Sequence, residues 1–352
     1  MLLFREYPRL GGQLPHADLG TFPTPVERLA HMGHENLWIK REDLSSPLYG
    51  GNKVRKLEFT LAEALRAGCA KVVTMGGLGT NHGLATAIFA KRLGLAARLL
   101  LYQQPVTPLV KQQLLLMHHF GAELRCYRTA LGAGAALYTT QRAANPRAYR
   151  LDAGGSSPMG TVGVVNAMFE LREQIRAGLM PEPDYIFCPL GTNGTMAGLS
   201  LGGILAGLKS KVIGVRVTPD RAGFVQLANE RTVRRLMQRT LALLRTNSSD
   251  VPSVDIPGQR VAHSYIGAGY GQPTPAGSAA AARLQEVEGI RLDPTYTAKT
   301  FAAVQDFVDE PGHARDTVLY WHTYNSVDLT ALAASKDYHE LPRALHRAFE
   351  LP

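Results

Sequence analysis

The chain has 352 residues, of which 45% are hydrophobic and 19% are charged, and its formal net charge is +9 at neutral pH. This length supplies one large or two medium-sized domains with enough apolar material for a buried core. Glycine and proline are frequent but separate periodic segments, so the composition excludes a fibrous or low-complexity protein. No uninterrupted apolar stretch could span a bilayer and residues 1–8 lack an apolar signal region, so we expect no membrane association.

Many of the basic residues lie in one segment, residues 231–239. Four apolar residues in and after this segment fit a single face of a helix, namely Val233, Leu236, Leu241 and Leu244. We therefore expect the arginines to form a solvated helix face and predict no nucleic-acid partner.

The three cysteines are Cys69, Cys126 and Cys188. Their odd number and wide spacing predict neither a disulfide framework nor a metal site. Such cysteine usage favours a reducing compartment, and we expect a cytoplasmic protein.

Short β-type runs alternate with helical patterns from about residue 37 onward, which indicates an α/β protein with parallel sheets. Strands are predicted at residues 71–75, 97–102, 123–127, 185–189 and 211–217. Helices are predicted at residues 81–93 and 161–177, and from a glycine-rich loop through residue 208. Two sheets are expected, with the active site at the carboxyl ends of their strands, where the glycine-rich loops fall.

The first chemical motif is the segment Gly50-Gly51-Asn52-Lys53. Glycines let backbone approach a ligand closely, and a helix is predicted to begin near Lys53. A lysine in such a place can form an imine with a carbonyl compound, which predicts an enzyme. The chemistry is most useful when the carbonyl compound is pyridoxal phosphate, an electron sink for carbanions.

The loop from Gly76 to Gly83 joins a predicted strand to a predicted helix. It also suits a dinucleotide-binding turn, which makes a nicotinamide-dependent oxidoreductase the alternative. That alternative needs an acidic residue after the next strand, and residues 101–104 supply none. With pyridoxal phosphate, Asn81 would approach the phenolic oxygen of the cofactor and Thr80 a substrate carboxylate. His82 is either an acid–base group or a structural residue at the helix start.

A second glycine-rich loop, Gly191 to Gly198, lies between a buried strand and a helix. Its backbone N–H groups and the hydroxyls of Thr192 and Thr195 could converge on a phosphate at the helix N-terminus. The alternative is a tight turn that only permits close packing.

Two tyrosines complete the set. Tyr270 stands among glycines, and Tyr296 precedes Thr297 at a predicted helix start. Each tyrosine alone is more typical of packing, and Thr297 alone of a helix cap. These residues indicate an active site only in combination with Lys53 and the glycine-rich loops.

These motifs, in this order, resemble pyridoxal-phosphate enzymes of the tryptophan synthase β-subunit fold. Within that fold the chain is similar to the family of 1-aminocyclopropane-1-carboxylate deaminase and D-cysteine desulfhydrase. The resemblance implies fold type II, with two open, twisted parallel-sheet domains flanked by helices. It implies a large cofactor-binding domain of residues 1–53 plus 163–352, a small domain of residues 54–162, and a homodimer.

The resemblance also implies roles by position. Lys53 matches the Schiff-base lysine, Lys56 a lysine on the helix surface, and Asn81 the contact to the cofactor's ring oxygen. Tyr270 and Tyr296 match two active-site tyrosines, which with Lys53 and Thr80 form the predicted catalytic set. The predicted phosphate loop comprises Gly191, Thr192, Asn193, Gly194 and Thr195. The predicted substrate pocket comprises Thr80, His82, Ser156, Thr323 and Tyr324.

Two positions divide the family. Deaminases carry a glutamate facing the pyridine nitrogen and a leucine after a late histidine, whereas this chain has Thr297 and Thr323, as desulfhydrases do. A neutral threonine leaves the ring a weaker electron sink, which favours β-elimination over ring opening. The expected substrate is D-cysteine or a related amino acid; the alternative is a deaminase or another lyase. Gly79, Leu84, Tyr324 and Asn325 depart from the family pattern near the substrate.

Overall fold

The computed structural model describes residues 1–223 and 225–350. Its strands are β1 (Val26–Arg28), β2 (Leu37–Arg41), β3 (Lys71–Gly77), β4 (Ala96–Tyr102), β5 (Glu123–Tyr127), β6 (Ala148–Arg150), β7 (Tyr185–Leu190), β8 (Lys211–Arg216), β9 (Arg221–Ala222), β10 (Val225–Gln226), β11 (Arg260–Ala262) and β12 (Val318–His322). Its α-helices are α1 (Leu2–Glu6), α2 (Pro8–Gln13), α3 (Lys53–Arg66), α4 (Asn81–Arg92), α5 (Pro108–His119), α6 (Ala130–Tyr138), α7 (Thr140–Ala144), α8 (Pro158–Arg176), α9 (Gly194–Ala206), α10 (Glu230–Asn247), α11 (Pro275–Glu288), α12 (Thr297–Asp309), α13 (Thr330–Ala334) and α14 (Arg347–Glu350).

The larger sheet has the strand order β1-β2-β12-β7-β8-β11. All of its pairings are parallel except that of β1 with β2. The central strand β12 pairs Val318 with Leu37 on one side and with Tyr185 on the other. Every residue of β12 is buried, as expected for a parallel strand covered on both faces.

The smaller sheet has the order β5-β4-β3-β6, and its strands are all parallel. Its four strands are consecutive in sequence, whereas the larger sheet combines the chain before residue 42 with the chain after residue 184. The structure thus has the two parallel-sheet units, flanked by helices, that the resemblance implies.

Helices α3 and α8 pack against each other where the two sheets meet. Gly163 of α8 makes this close approach possible, because a Cβ there would lie 1.9 Å from the carbonyl oxygen of Arg55 on α3. Lys53 is the first residue of α3, so the fold places the predicted cofactor lysine at the junction of the sheets.

The predicted strands and helices are confirmed, with shifts of a few residues at their ends. The largest shift is at α8, which begins at Pro158 because the Ser157 side chain accepts the N–H of Gly160 and caps the helix. The basic segment lies within α10, where Val233 and Leu244 are buried while Arg234 and Arg235 are exposed. The prediction of a solvated helix face is confirmed.

The C-terminal segment contacts the smaller sheet's side of the molecule. Leu341 and Leu345 are buried in the same apolar cluster as Leu99 and Leu101 of β4. The predicted domain boundaries at residues 54 and 162 agree with the division of the strands between the two sheets, but the last residues of the chain pack on the smaller sheet's side. The domain division stays a prediction. Among the described residues, none of the helices has the length and apolar character needed to cross a membrane.

Candidate active site

A tight turn fixes the position of Lys53. Gly51 has φ = +96°, and a Cβ at Gly51 would lie 2.7 Å from the carbonyl oxygen of Thr323. A Cβ at Gly50 would lie 1.9 Å from the carbonyl oxygen of Asp43. Both glycines are thus required by close backbone approach, and Gly51 also by its left-handed conformation. The turn directs the first side chain of α3 into a cavity, which we call the lysine cavity.

The lysine cavity has a volume of about 90 Å³ and lies at the carboxyl ends of β3 and β7. It brings together most of the predicted site residues. Those in its walls are Lys53, Thr80, Asn81, His82, Gly191, Thr192, Asn193, Thr195, Tyr270, Tyr296 and Thr323.

Burial changes the ionisation of Lys53. Removal from water lowers the pKa of its ammonium to about 8, against the attraction of Asp293, which raises it. The Nζ atom donates a hydrogen bond of 3.2 Å to Asn52 Oδ1, and Asn52 Nδ2 donates one of 2.7 Å to Thr195 Oγ1. With this pKa of about 8, roughly a tenth of Lys53 is the neutral amine at pH 7, and this is the form that attacks a carbonyl.

The predicted phosphate loop leads into α9 through Asn193, which adopts φ = +71°. The Asn193 side chain points away from the cavity, because its Nδ2 donates to the carbonyl oxygen of Leu227 at 2.7 Å and its Oδ1 accepts from the Thr232 hydroxyl at 3.3 Å. These bonds anchor the loop to the start of α10. What the loop offers the cavity is backbone N–H groups at a helix N-terminus, a favourable place for an anion.

The resemblance implied that Lys56 lies on the helix surface, but the structure buries it. Its side chain is buried, and its Nζ lies 3.2 Å from the Gly154 carbonyl oxygen and 3.4 Å from Ser156 Oγ. A Cβ at Gly194 would lie 2.9 Å from this Nζ. Because residues three apart in a helix share a face, Lys56 follows Lys53 toward the same cleft and reaches the phosphate loop.

Ser156, expected in the substrate pocket, also lies against the phosphate loop. Its hydroxyl is 2.7 Å from Thr192 Oγ1 and accepts the N–H of Gly194 at 3.2 Å. Ser156 thus belongs to the predicted anion site, because the left-handed turn at Gly154 and Gly155 folds it back toward α9.

Two donors orient Asn81 at the start of α4. Gln113 Nε2 donates to Asn81 Oδ1 at 2.5 Å, and the Tyr49 hydroxyl donates to the same oxygen at 3.3 Å. The amide Nδ2 is left as a donor for the cavity, as contact with a phenolic oxygen would require. The Thr80 hydroxyl accepts the Gly83 N–H at 3.1 Å and caps α4, while retaining its own proton for donation.

His82 is fully enclosed. Burial, together with the charges of Lys53 and Lys56, holds its pKa well below the usual 6.5, so the ring is neutral. Its Nε2 lies 3.1 Å from the Thr74 hydroxyl on β3. Of the two alternatives for His82, this contact favours the structural one.

The two predicted tyrosines face each other. The Tyr270 and Tyr296 hydroxyl oxygens are 2.5 Å apart, and the rings meet edge to face. Burial raises the pKa of both phenols above the usual 10, so both are protonated near neutral pH and serve as donors. Lys299 holds the loop that carries Tyr270, because its buried Nζ donates to the carbonyl oxygens of Ile266 at 2.7 Å and Gly269 at 3.2 Å.

Thr297 is fully buried and is not among the described residues that line the lysine cavity. Its hydroxyl donates to Asp293 Oδ2 at 2.7 Å. Asp293 also accepts backbone N–H groups at the start of α12 and lies in the cavity wall. Burial raises the pKa of Asp293 despite these bonds. The structure thus adds a carboxyl group behind the threonine that the family comparison singled out.

Tyr324, also expected in the substrate pocket, lies outside the lysine cavity. It lines a neighbouring space, which we call the side cavity, together with Tyr49, Gln113 and Arg291. Thr323 and Tyr324 are neighbours in the chain but line different cavities.

Several residues of the site were not predicted from the sequence, chiefly Lys56, Asp293, Tyr102 and Thr218. The spacing of Lys56 from Lys53 on one helix was a usable signal. Tyr102 ends one predicted strand and Thr218 follows another, both as single residues without a motif, so only the fold brings them to the site.

A model of the pyridoxal-phosphate-dependent enzymes matches residues 17–323, which is most of the chain and includes every motif described above. The chain belongs to this family. Its cofactor is pyridoxal 5'-phosphate, and the fold is that of a fold type II enzyme.

Relatives of this pyridoxal-phosphate enzyme have several names. A Pyrococcus abyssi protein named as a 1-aminocyclopropane-1-carboxylate deaminase is 32% identical over 88% of this chain and 92% of its own length. The D-cysteine desulfhydrase of Salmonella schwarzengrund is 32% identical over 88% of this chain and 94% of its own. The nocardicin C-9' epimerase of Nocardia uniformis is 32% identical over 89% of this chain and 93% of its own length.

A solved structure of a 1-aminocyclopropane-1-carboxylate deaminase homologue superposes with a TM-score of 0.76 at 28% identity. It covers 92% of this chain and 95% of its own. The predicted family and fold are therefore confirmed, and the nicotinamide alternative is not retained.

The residues present fit pyridoxal phosphate. Lys53 would hold the carbonyl carbon, Asn81 Nδ2 the ring oxygen, and the Gly191–Thr195 loop with Lys56 and Ser156 the phosphate. Gly194 allows this approach, since a Cβ there would lie 2.6 Å from Ser156 Oγ. The cofactor supplies the electron sink for a carbanion next to an amino group.

Proposed function

We propose that the protein is a lyase that removes the β-substituent of D-cysteine or a related β-substituted amino acid. For D-cysteine, the amino acid and one water would yield pyruvate, ammonia and hydrogen sulfide. The observation that carries the proposal is the lysine cavity itself, whose walls hold the Lys53 amine, two protonated tyrosines and the predicted phosphate loop.

Each group would have a separate task. The α4 N-terminus, with the Thr80 hydroxyl, would bind the substrate carboxylate. The Lys53 amine, with a pKa of about 8, would take the Cα proton. One hydroxyl of the Tyr270–Tyr296 pair donates to the other, and the second would donate a hydrogen bond as negative charge develops on the leaving sulfur. Loss of the Cβ–S bond does not require a protonated pyridine nitrogen on the cofactor, which agrees with a neutral residue, Thr297, at that position.

A second candidate is ring opening of 1-aminocyclopropane-1-carboxylate, which with one water would give 2-oxobutanoate and ammonia. Asp293 favours it, because a carboxyl group hydrogen-bonded to Thr297 could support a protonated ring nitrogen through that hydroxyl. The name of the Pyrococcus abyssi relative supports the same candidate.

The test incubates the purified enzyme with D-cysteine, L-cysteine and 1-aminocyclopropane-1-carboxylate, and measures sulfide, pyruvate and 2-oxobutanoate. We expect sulfide and pyruvate in equal amounts from D-cysteine, and none from Lys53→Ala, which should also lack the violet absorption band of the bound cofactor. Formation of 2-oxobutanoate alone would establish the second candidate. A visible band with no product from any compound would refute both.

We also propose that the enzyme acts in the cytoplasm as a homodimer. The three cysteines are free, which suits a reducing compartment, and the dimer is implied by the family resemblance. Light scattering during gel filtration should give about twice the chain mass of 38.2 kDa. A mass of one chain at micromolar concentration would contradict the dimer.

A further inference from the structure

Two more spaces adjoin the lysine cavity on the side of Asn81 and the tyrosines. The first, which we call the passage, is narrow, about 20 Å³, and is bounded by Gly79, Asn81, Gln113 and Tyr296. The second is the side cavity, about 150 Å³. Asp293 lies in the walls of all three spaces, and Gln113 in those of the passage and the side cavity. The passage therefore adjoins both the lysine cavity and the side cavity.

Gln113 presents an unsatisfied acceptor along this route. Its side chain is buried, 2% exposed, and its Nε2 is used by Asn81. Its Oε1 has no hydrogen-bond partner within residues 1–223 and 225–350. A buried acceptor without a partner costs free energy, and a ligand that donates an N–H there would remove that cost.

Arg291 stands at the outer end of the side cavity and is exposed. Its guanidinium makes no hydrogen bond or close ion pair with the described part of the chain, although the carboxylates of Asp293 and Asp328 line the same cavity. A free guanidinium at the end of a cavity suits a carboxylate, which it can bind through two parallel hydrogen bonds. Tyr49 and Tyr324 also line the side cavity, and their rings can cover the apolar part of a ligand.

The residues that depart from the family pattern shape this same route. A Cβ at Gly79 would lie 2.7 Å from Val110 Cγ2 and 3.0 Å from Gln113 Oε1. A longer side chain at position 79 would compete with Gln113 for the passage. Tyr324, another of the departures, supplies a wall of the side cavity.

We propose that the physiological substrate is a β-substituted amino acid whose substituent extends through the passage into the side cavity, with an N–H donor at Gln113 and a carboxylate at Arg291. These two groups together are those of a second amino-acid unit, joined through a thioether. The inference rests on the proposed function for its chemistry. Elimination would break the Cβ–S bond, consume one water, and release pyruvate, ammonia and a thiol that retains the second unit and takes up the proton.

The test compares three D-amino acids: D-cysteine, its S-propyl thioether, and lanthionine, the thioether that carries a second alanine unit. We expect kcat/KM for lanthionine to exceed that for the other two at least tenfold, measured as pyruvate formed. Arg291→Gln should reduce this preference about tenfold, and Gln113→Leu should reduce it as well. Arg343→Gln, at an exposed arginine outside these cavities, should leave it unchanged.

Binding is measured separately on the holoenzyme with 2,6-diaminoheptanedioate, the all-carbon analogue of lanthionine that cannot undergo elimination, against 2-aminoheptanoate. Calorimetry should show at least tenfold tighter binding of the former, lost in Arg291→Gln. Tight, Arg291-dependent binding without any turnover would refute the lyase but support the extended pocket. Equal binding of the two compounds, or a preference for D-cysteine in turnover, would overturn the inference.

Discussion

At the scale of single residues, the unexpected finding is a second lysine at the anion site. Lys56 is buried beside Ser156 and Gly194, and burial, with the repulsion of Lys53, holds its pKa well below the usual 10.5. Without an anion, a buried ammonium is unfavourable. When a phosphate is bound, the Lys56 ammonium can donate a charge-assisted hydrogen bond to it.

Replacement of Lys56 by methionine should therefore have opposite effects on the empty and the loaded protein. We expect the apoprotein to be at least as stable toward urea as wild type, and the affinity for pyridoxal phosphate to fall roughly tenfold or more, because charged hydrogen bonds contribute about 1.5–3 kcal/mol. Absorbance titration of the apoprotein measures the affinity. Lys91→Met, at an exposed lysine of α4, is the control, and equal affinities for both variants would exclude the role.

Residue roles were predictable only where a motif surrounded them. Lys53, Asn81 and the Gly191–Thr195 loop stand at strand-to-helix junctions that sequence periodicity reveals, and the structure brings them together. Tyr324 and Ser156 were predicted for the substrate pocket; Tyr324 lines the side cavity and Ser156 contacts the phosphate loop, and their roles stay predictions. The direction of a side chain in a loop depends on local turns, such as the left-handed pair at Gly154 and Gly155, which the sequence pattern did not reveal.

At the scale of elements, the turn before α3 decides where the lysine points. Gly51 contributes both a left-handed backbone and contact with the carbonyl of Thr323, which follows β12. The start of α3 at residue 53 is therefore fixed by the backbone of residue 323, which lies 270 residues later in the chain (323 − 53). Periodicity predicts such a helix, but not the contact that fixes its first turn.

Gly51→Ala tests this contact against the cost of backbone conformation alone. The control is Gly68→Ala, where φ is +68° but nothing lies within 4 Å of the new Cβ. We expect the control to lose about 1 kcal/mol of unfolding free energy, from left-handed strain. Gly51→Ala should lose more and should also bind less cofactor at saturation. Urea unfolding measures the free energy of unfolding, and the visible band measures the bound cofactor. Equal losses of unfolding free energy in the two variants would show that the Thr323 contact is unimportant.

At the scale of the whole molecule, a buried ionic network joins β2 of the larger sheet to helices α3 and α8. Glu170 of α8 accepts from Lys40 of β2 at 2.6 Å and from Arg55 of α3 at 2.9 Å, and Arg55 also pairs with Glu42 at 2.7 Å. All four side chains are buried, and their charges cancel. Although burial opposes it, the two cations lower the pKa of Glu170 to about 2.

Glu170→Gln should destabilise the protein by about 3 kcal/mol at pH 7, because removing one carboxylate leaves a buried positive charge without a partner. Glu173→Gln on the same helix, where the side chain is 43% exposed, should change stability by less than about 1 kcal/mol. A carboxylate with a lowered pKa stabilises the fold above its unfolded-state pKa of about 4.5 and loses that effect as the pH falls toward 2. The gap between wild type and Glu170→Gln in urea unfolding should therefore narrow below pH 4.5; a constant gap would show that ionisation is not its cause.

The position of β12 has a consequence for the order in which the enzyme becomes active during its synthesis. The smaller sheet is built from consecutive strands that end at residue 150, so its strands can pair early, although Leu341 and Leu345 complete its apolar cluster only later. The larger sheet must wait, because its central strand spans residues 318–322, and the backbone that fixes Gly51 and Lys53 follows directly after it. A nascent or prematurely ended chain would thus carry the lysine without the geometry to load the cofactor. Cofactor capture would in this way report that nearly the whole chain has been made and folded.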